Sequence, residues 1–350
     1  MKNITWKDIR EAVGGSHNHT SPHPSSPKPQ QAQQQQKVHK PFVAEPAKPL
    51  TPATPSRPVK EQPILEPTTM NSDSIFVIGS YHDICQDYVA NHNNGIKSYV
   101  VLADGCSGSK DSDVGARVLV KTHELFIPSM GVMDFNEYAR RAPTLYSQII
   151  EEAEGNAKAL ELDPMSLDAT IMSIVSNKSG EFMVTCYGDG VVALGRRDGI
   201  IETYSVSYKE GYPNYLSYQL SNERKERFAE KTGNYKEVIL EMISGDEEPL
   251  KQKYRSSAVF DTYLGSKSKY LWVAVMSDGV NSFMEKISDG TSVTQEPVPP
   301  HKVIRELFNF KNFQGTFVKR RVKRFLESCS ERQWTHGDDL SVGVVYLGDE

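Results

Sequence analysis

"VVLADGCSG", Val100 to Gly108, runs four residues suited to a buried strand straight into Asp104 and Gly105. "LWVAVMSDGV", Leu271 to Val280, does the same at Asp278. A carboxylate at the end of such a strand is costly to bury unless something holds its charge. Three more segments put aspartates where a strand meets a turn: "CQDYV" (Asp87), "YGDG" (Asp189) and "GDDLS" (Asp338 and Asp339). Any one alone reads as an ordinary Asp-containing turn. Converging, they would repel one another, and a multivalent cation relieves that repulsion best. Oxygen ligands without a convergent His or Cys set favour magnesium or manganese over zinc. Gly105 has no side chain beside the carboxylate, so its own carbonyl can face an ion. Two ions sharing a carboxylate can acidify a water and aim it in line at a phosphorus.

Composition divides the chain. Residues 1–72 hold 12 of the 20 prolines and the run "QQAQQQQ", Gln30 to Gln36. Such a segment cannot bury enough apolar surface to offset its ordering entropy, so a disordered tail is expected over 1–72 and a folded domain over 73–350. The tail carries 9 Lys or Arg against 5 Asp or Glu, and the remainder 31 against 40. The folded part is therefore −9, a poor match for nucleic acid. No apolar run is long enough for a membrane span, and "MKNITWKDIR" lacks the apolar core of a secretory signal. None of Cys85, Cys106, Cys186 and Cys329 forms a CxxC pair, so free thiols in a cytoplasmic protein are expected.

The pattern along 73–350 is mixed. "SIFVIGSYHD", "CQDYVANHNN" and "IKSYVVLADG" read as strands, with Asn94-Gly95 a hairpin signal. "SDVGARVLVKTHELFIPSM" and "TLYSQIIEEAEGNAKAL" carry apolar residues three and four apart and read as helices. Four short strands with tight turns follow, through Lys178-Ser179-Gly180 and Asp198-Gly199. "NERKERFAEKTGNYKEVILEMI" is expected to be helical in part. Next come a strand ending at Asp278, two helical segments around "HKVIRELFNF" and "FVKRRVKRF", and a closing strand "DDLSVGVVYL". Two groups of helices separated by antiparallel strands predict an α+β fold, layered helix, sheet, sheet, helix.

Taken in order, "GSYHDICQDYV", "VLADGCSGSKDSDVGARV", "CYGDGVV", "WVAVMSDGVNSF" and "GDDLSVGVV" resemble the motifs of the metal-dependent protein phosphatases of the 2C type, in a bacterial branch. They span about residues 79–345. The resemblance implies a four-layer α-β-β-α sandwich of two antiparallel sheets and hydrolysis of phosphoserine and phosphothreonine. It implies two manganese or magnesium ions and a third, weaker one. Asp104 would bridge the two, and the Gly105 carbonyl would help hold the second. Asp278 and Asp338 would hold the first, and Asp87 would orient water or ligate directly. Asp189 would stand near the third ion, and Thr170 beside the core near the site. His82 stands where many members carry a phosphate-gripping arginine. Gln86 replaces an acidic residue, and Cys106 a histidine of animal members. The implied partners are a phosphorylated protein and a serine/threonine kinase. A second reading, supported by Gln86 and Cys106, is a weakly catalytic binding module on the same fold. A third is a two-metal hydrolase of small phosphate esters.

Smaller signals point elsewhere. Cys106 lacks the arginine six residues on that a tyrosine phosphatase needs; Ser112 is there. "GCSGSKD" fails the Walker spacing. "FVKRRVKRF" puts Phe317, Val318, Arg321, Val322 and Phe325 on one helix side, leaving a basic solvated face. His17, His19 and His23 lie in the tail, and His336 reads as a turn residue. Five tyrosines from Tyr204 to Tyr218 read as a cover over the sheet edge, with a substrate-facing flap as the sharper alternative.

Overall fold

Strand β3 (Lys97–Asp104) explains the layering. Side chains alternate faces along a strand, so Val100 and Leu102 point one way, Val101 and Ala103 the other. The first pair enters one apolar cluster and the second pair another. A strand dry on both faces must lie between two layers. The computed structural model describes residues 70–130, 134–256, 261–288 and 292–349; of the tail expected over 1–72, residues 1–69 lie outside them, while Met70 is buried and Asn71 already opens the first strand.

One sheet has five strands: β3 is flanked by β2 (Asp87–Asn93) and β4 (Ile171–Asn177), followed by β5 (Glu181–Tyr187) and β10 (Asp261–Ser266). The other has seven, in the order β1 (Asn71–Val77), β15 (Leu340–Tyr346), β11 (Tyr270–Met276), β6 (Gly190–Arg196), β7 (Ile201–Tyr208), β8 (Lys236–Ile243) and β9 (Leu250–Ser256). All of these neighbours pair antiparallel. Between the sheets lie Val100, Leu102, Met172 and Val184 from one, and Val192, Val273, Val275 and Val345 from the other. Helices α1 (Ser112–Met130) and α2 (Phe135–Ala159) cover the outer face of the five-stranded sheet through Leu119, Val120, Ile149 and Ile150. Helices α4 (Pro300–Leu307) and α5 (Phe317–Glu331) cover the seven-stranded sheet through Val303, Ile304, Val322 and Phe325. The result is the four-layer α-β-β-α sandwich expected.

A third, small sheet orders β13 (Val293–Pro297), β12 (Phe283–Ser288) and β14 (Trp334–His336). It ties the turn after β11 to the turn before β15, because Phe283 pairs with His336. Among the described residues no disulfide joins the cysteines, and no helix is long and apolar enough to cross a membrane.

Some boundaries differ from the sequence expectation. Helix α2 begins at Phe135, ahead of the expected "TLYSQ", and runs through Pro143. The Asp134 carboxylate caps it by accepting from the Asn136 amide at 2.9 Å. Burial of Tyr138 and Ala142 holds the first turns despite the hydrogen bond that proline removes. The helical segment after Ser221 is only α3 (Asn222–Thr232); Gly233 closes it at φ 67°, and β8 follows. In α5 the expected apolar side is buried, and its Lys319 amide donates to Asp73 of β1 at 3.0 Å.

The sheets approach closely at Gly343, where an added Cβ would stand 2.2 Å from a Val100 methyl. Gly343→Ala must push the sheets apart and is expected to cost about 1–3 kcal/mol. Urea unfolding should show a lowered midpoint with an unchanged slope; an unchanged midpoint would contradict the close approach.

Candidate active site

The alternation that buries β3 also aims its last residue. After Val100 and Leu102, the next side chain on the inner face is Asp104. Asp87 pairs directly opposite it across the β2–β3 ladder. Cross-strand partners have Cβ atoms about 5 Å apart, so two acids face each other at the end of the sandwich. The opposite sheet supplies the same inner face: Val273 and Val275 lead to Ser277, and Val345 and Gly343 lead to Ser341 and Asp339.

Asp87 is 1% exposed, and neither of its oxygens has a hydrogen bond of good geometry, although the Ser277 and Ser341 hydroxyls lie within reach. Burial drives its pKa well above the usual carboxylate range. The Ser277 and Ser341 hydroxyls offset part of this, while Asp339 and Asp278 add to it. Asp104 is also raised well above that range, first by burial, then by Asp87, Asp278, Asp189 and Asp338. Burial pushes Asp189 up to about 7, with Asp278 and Asp338 contributing. Burial and Asp338 push Asp278 up to about 6, against a hydrogen bond with Asp104. These mutual effects place Asp87, Asp104, Asp189, Asp278 and Asp338 in one neighbourhood. Among the described residues, no three His, Cys, Asp or Glu side chains are grouped closely enough to hold an ion by themselves.

The backbone is pinned around them. The Asp104 amide donates to Thr170 Oγ1 at 3.2 Å, and the Thr170 amide donates to the Asp104 carbonyl at 2.8 Å. Thr170 therefore lies directly beside Asp104. Gly105 fits because a Cβ there would stand 2.8 Å from the Ser112 carbonyl and 2.9 Å from that of Gln86. Ser282 joins the two carboxylate turns: its hydroxyl accepts from the Asp338 amide at 3.2 Å, and its carbonyl from Gly337 at 3.3 Å. His336, expected to fill a turn, lies with Nδ1 3.0 Å from the Asp338 carbonyl.

Asp339, named from the sequence only as the neighbour of Asp338, has a structural task of its own. It is 1% exposed. Its Oδ1 accepts from the Gly79 amide at 2.7 Å and its Oδ2 from the Gln86 amide at 2.6 Å. It thus clamps both ends of the β1–β2 loop onto the β14–β15 turn. The His82 ring sits inside this loop, with Nδ1 3.0 Å from Asp339 Oδ2 and Nε2 3.6 Å from Asp338 Oδ1. The doubled acid in "GDDLS" was the available signal. The Gln86 side chain donates from Nε2 to Ser112 Oγ at 3.0 Å.

The tyrosine-rich segment is both a cover and a neighbour of the site. Tyr212, Tyr215 and Tyr218 pack as a cluster with Phe228 of α3. Tyr215 also borders the site: burial raises its pKa well above normal, and Cys106, Asp189 and Asp104 add to the rise. Asp168 fastens the segment, taking Arg224 Nη2 at 2.6 Å and Ser217 Oγ at 2.7 Å, while its carbonyl accepts from the Cys106 amide at 2.8 Å. A cleft of 720 Å³ opens between this segment and α2, lined by Tyr187, Tyr215, Tyr218 and Phe228 among others.

No curated protein sequence matches the chain significantly. Solved structures that resemble it include a bacterial serine phosphatase, 12% identical with a TM-score of 0.46, covering 80% of this chain and 99% of that one. The serine/threonine phosphatase Stp1 of Staphylococcus aureus is 11% identical with a TM-score of 0.45, covering 82% and 99%. PppA, a regulatory component of T6SS in Pseudomonas aeruginosa, is 14% identical with a TM-score of 0.42, covering 81% and 99%. Residues 80–327 match the family described as Protein phosphatase 2C. That span contains Asp87, Asp104, Asp189 and Asp278, and Asp338 follows it. The chain belongs to the protein phosphatase 2C family.

Proposed function

We propose that the chain is a manganese- or magnesium-dependent phosphoprotein phosphatase acting on phosphoserine and phosphothreonine. Family membership supports the phosphatase function. The observation that carries the metal reading is Asp87, a buried carboxylate set opposite Asp104 with only the Ser277 and Ser341 hydroxyls to meet its charge. Hard oxygen donors with free lone pairs suit these cations, and magnesium commonly takes one or two carboxylates while keeping several waters. A set of three protein ligands around one ion is therefore not required.

Asp104, Asp278, Asp338 and the Gly105 carbonyl would hold two ions, with Asp87 beside them and Asp189 near a third, weaker site. Bound there, the ions supply an acidified water and neutralise phosphoryl oxygens. The protein's part is positioning. Thr170 fixes the Asp104 backbone, and Ser282 fixes Asp338 relative to the turn at Asp278. Asp87 accepts a hydrogen bond from the attacking water and orients it. His82, beside the half-exposed Asp338, donates to a phosphoryl oxygen or to the departing alkoxide. The partners are a phosphorylated protein and the kinase that modified it, in the cytoplasm.

Gln86 favours a second reading. It is an amide where many members of the family carry an acid, and its Nε2 is spent on Ser112, so it brings no carboxylate to the rim, which suits a weakly catalytic binding module. Turnover separates the two. The full chain with manganese should release phosphate from a phosphothreonine peptide, and chelator should stop it. Asp104→Ala and Asp278→Ala should each lower kcat by at least about 10²-fold without changing the circular dichroism spectrum. A folded, metal-loaded wild type that binds phosphopeptides but never turns them over would favour the binding module.

A pH test follows from the raised carboxylates. In the folded chain Asp189 and Asp278 titrate near about 7 and about 6, against 3.8 when unperturbed. Between those values the folded state keeps protons that the unfolded state has released. Stability in chelator therefore falls as pH rises from about 4 through 7. Thermal scans should show Tm dropping by several degrees over that window, with manganese restoring it at the upper end. A profile that is flat in chelator, or insensitive to manganese, would contradict the cation site.

A further inference from the structure

The loop between β1 and β2 presents three apolar side chains to solvent at the edge of the site. Ile78 is 43% exposed, Tyr81 76% and Ile84 62%. The loop is not slack. The Ser80 amide donates to the His336 carbonyl at 3.1 Å and the Tyr81 amide to that of Gly337 at 2.9 Å. Ser80 Oγ reaches the His336 carbonyl at 2.9 Å. Asp339 holds the amides of Gly79 and Gln86. A loop fastened at so many points shows its apolar side chains by construction. Holding large apolar groups in water has no folding benefit.

Their position relates them to the chemistry. Asp338 is an accessible carboxylate, with 46% of its side chain exposed; Asp104, Asp189 and Asp278 are half-buried, and Asp87 is sealed. The mouth of the site therefore lies on the Asp338 side. The Tyr81 ring lies over Gly337, close enough that a Cβ there would come within 2.2 Å of it. Gly337 is the residue before Asp338, so a phosphoryl group delivered to Asp338 brings its flanking residues against Tyr81. Charge narrows what those residues can be. Apart from His82, which faces Asp338 and Asp339, the charged groups on and under the loop are Asp83, Asp338 and Asp339. Acidic flanks are repelled there, and apolar ones find surface to cover.

We infer that Tyr81 and Ile84 are specificity residues that read a bulky apolar side chain next to the phosphorylated residue of a protein substrate. The inference rests on the phosphatase reading for its substrate, and its test keeps the two apart. Three substrates are compared with the manganese-loaded full chain: p-nitrophenyl phosphate, a phosphothreonine peptide flanked by Leu and Phe, and one flanked by Asp. The same two peptides carrying a non-hydrolysable phosphonate are titrated by fluorescence anisotropy. Wild type should prefer the apolar-flanked peptide by about tenfold in both kcat/KM and affinity, the range expected for one apolar contact. Tyr81→Ser with Ile84→Ser should abolish that preference through KM, leaving p-nitrophenyl phosphate hydrolysis unchanged. Tyr81→Phe should retain it. Equal handling of both peptides by wild type, or a preference that survives the double substitution, would overturn the inference. So would an equal loss on all three substrates, which would make the loop a support for Asp338 only. If wild type hydrolyses nothing yet the anisotropy preference is present and lost in the variant, the phosphatase reading fails and the specificity surface stands.

Discussion

Two acids face each other across one antiparallel pair, and the site is organised around that conflict. Asp87 and Asp104 occupy opposed positions on β2 and β3, where like charges are destabilising. The inner-face columns beneath them are apolar and the opposed sheet is close, so Asp87 is sealed from water and Asp104 is only partly exposed. The hydrophobic sandwich holds the carboxylates in place, and it also makes their charges expensive. A protein does not ordinarily keep such an arrangement for stability. Strain of this kind concentrates where binding will relieve it.

The remaining acids are brought in by the second sheet and by the small sheet beside it. Asp278 follows β11, and Asp338 precedes β15. Ser282 bonds the two turns together, and the pairing of Phe283 with His336 continues the link. Asp339 does the complementary work: its two oxygens gather the β1–β2 loop and set His82 over the mouth. Adjacent aspartates thus have opposite duties. Asp338 is half-exposed, with Oδ1 taking only its neighbour's amide and facing His82, whereas Asp339 is sealed and spends its oxygens on the amides of Gly79 and Gln86.

The layered fold was legible from alternation and turn signals, because the strands around Val100, Ile174, Val192 and Val275 are dry on both faces and bounded by short turns. The helix entry at Phe135 was less legible. A proline inside the pattern argued against it, and only tertiary burial of Tyr138 and Ala142 tipped the balance. Strand β8 was obscured for a similar reason. Its charged residues, such as Glu237 and Glu241, allow a helical reading until the pairing with β7 is known. Among the candidate site residues, Asp87, Asp104, Asp189, Asp278 and Asp338 could be named from strand-end positions. The clamp at Asp339 and the turning of Gln86 toward Ser112 could not, since both depend on where distant backbone amides and hydroxyls come to rest.

Local sequence determined which segments become strands and which residue ends each of them, because a period of two and a following glycine are properties of a few neighbours. It also determined the kind of chemistry available, through the supply of carboxylates and the lack of a His or Cys set. The tertiary structure decided that acids spread from residue 87 to residue 338 share one neighbourhood, and which oxygens are spent on backbone amides and which are not. Register across β2 and β3, and the facing of one sheet by another, are long-range outcomes of burying two apolar faces together. No short stretch of chain contains them.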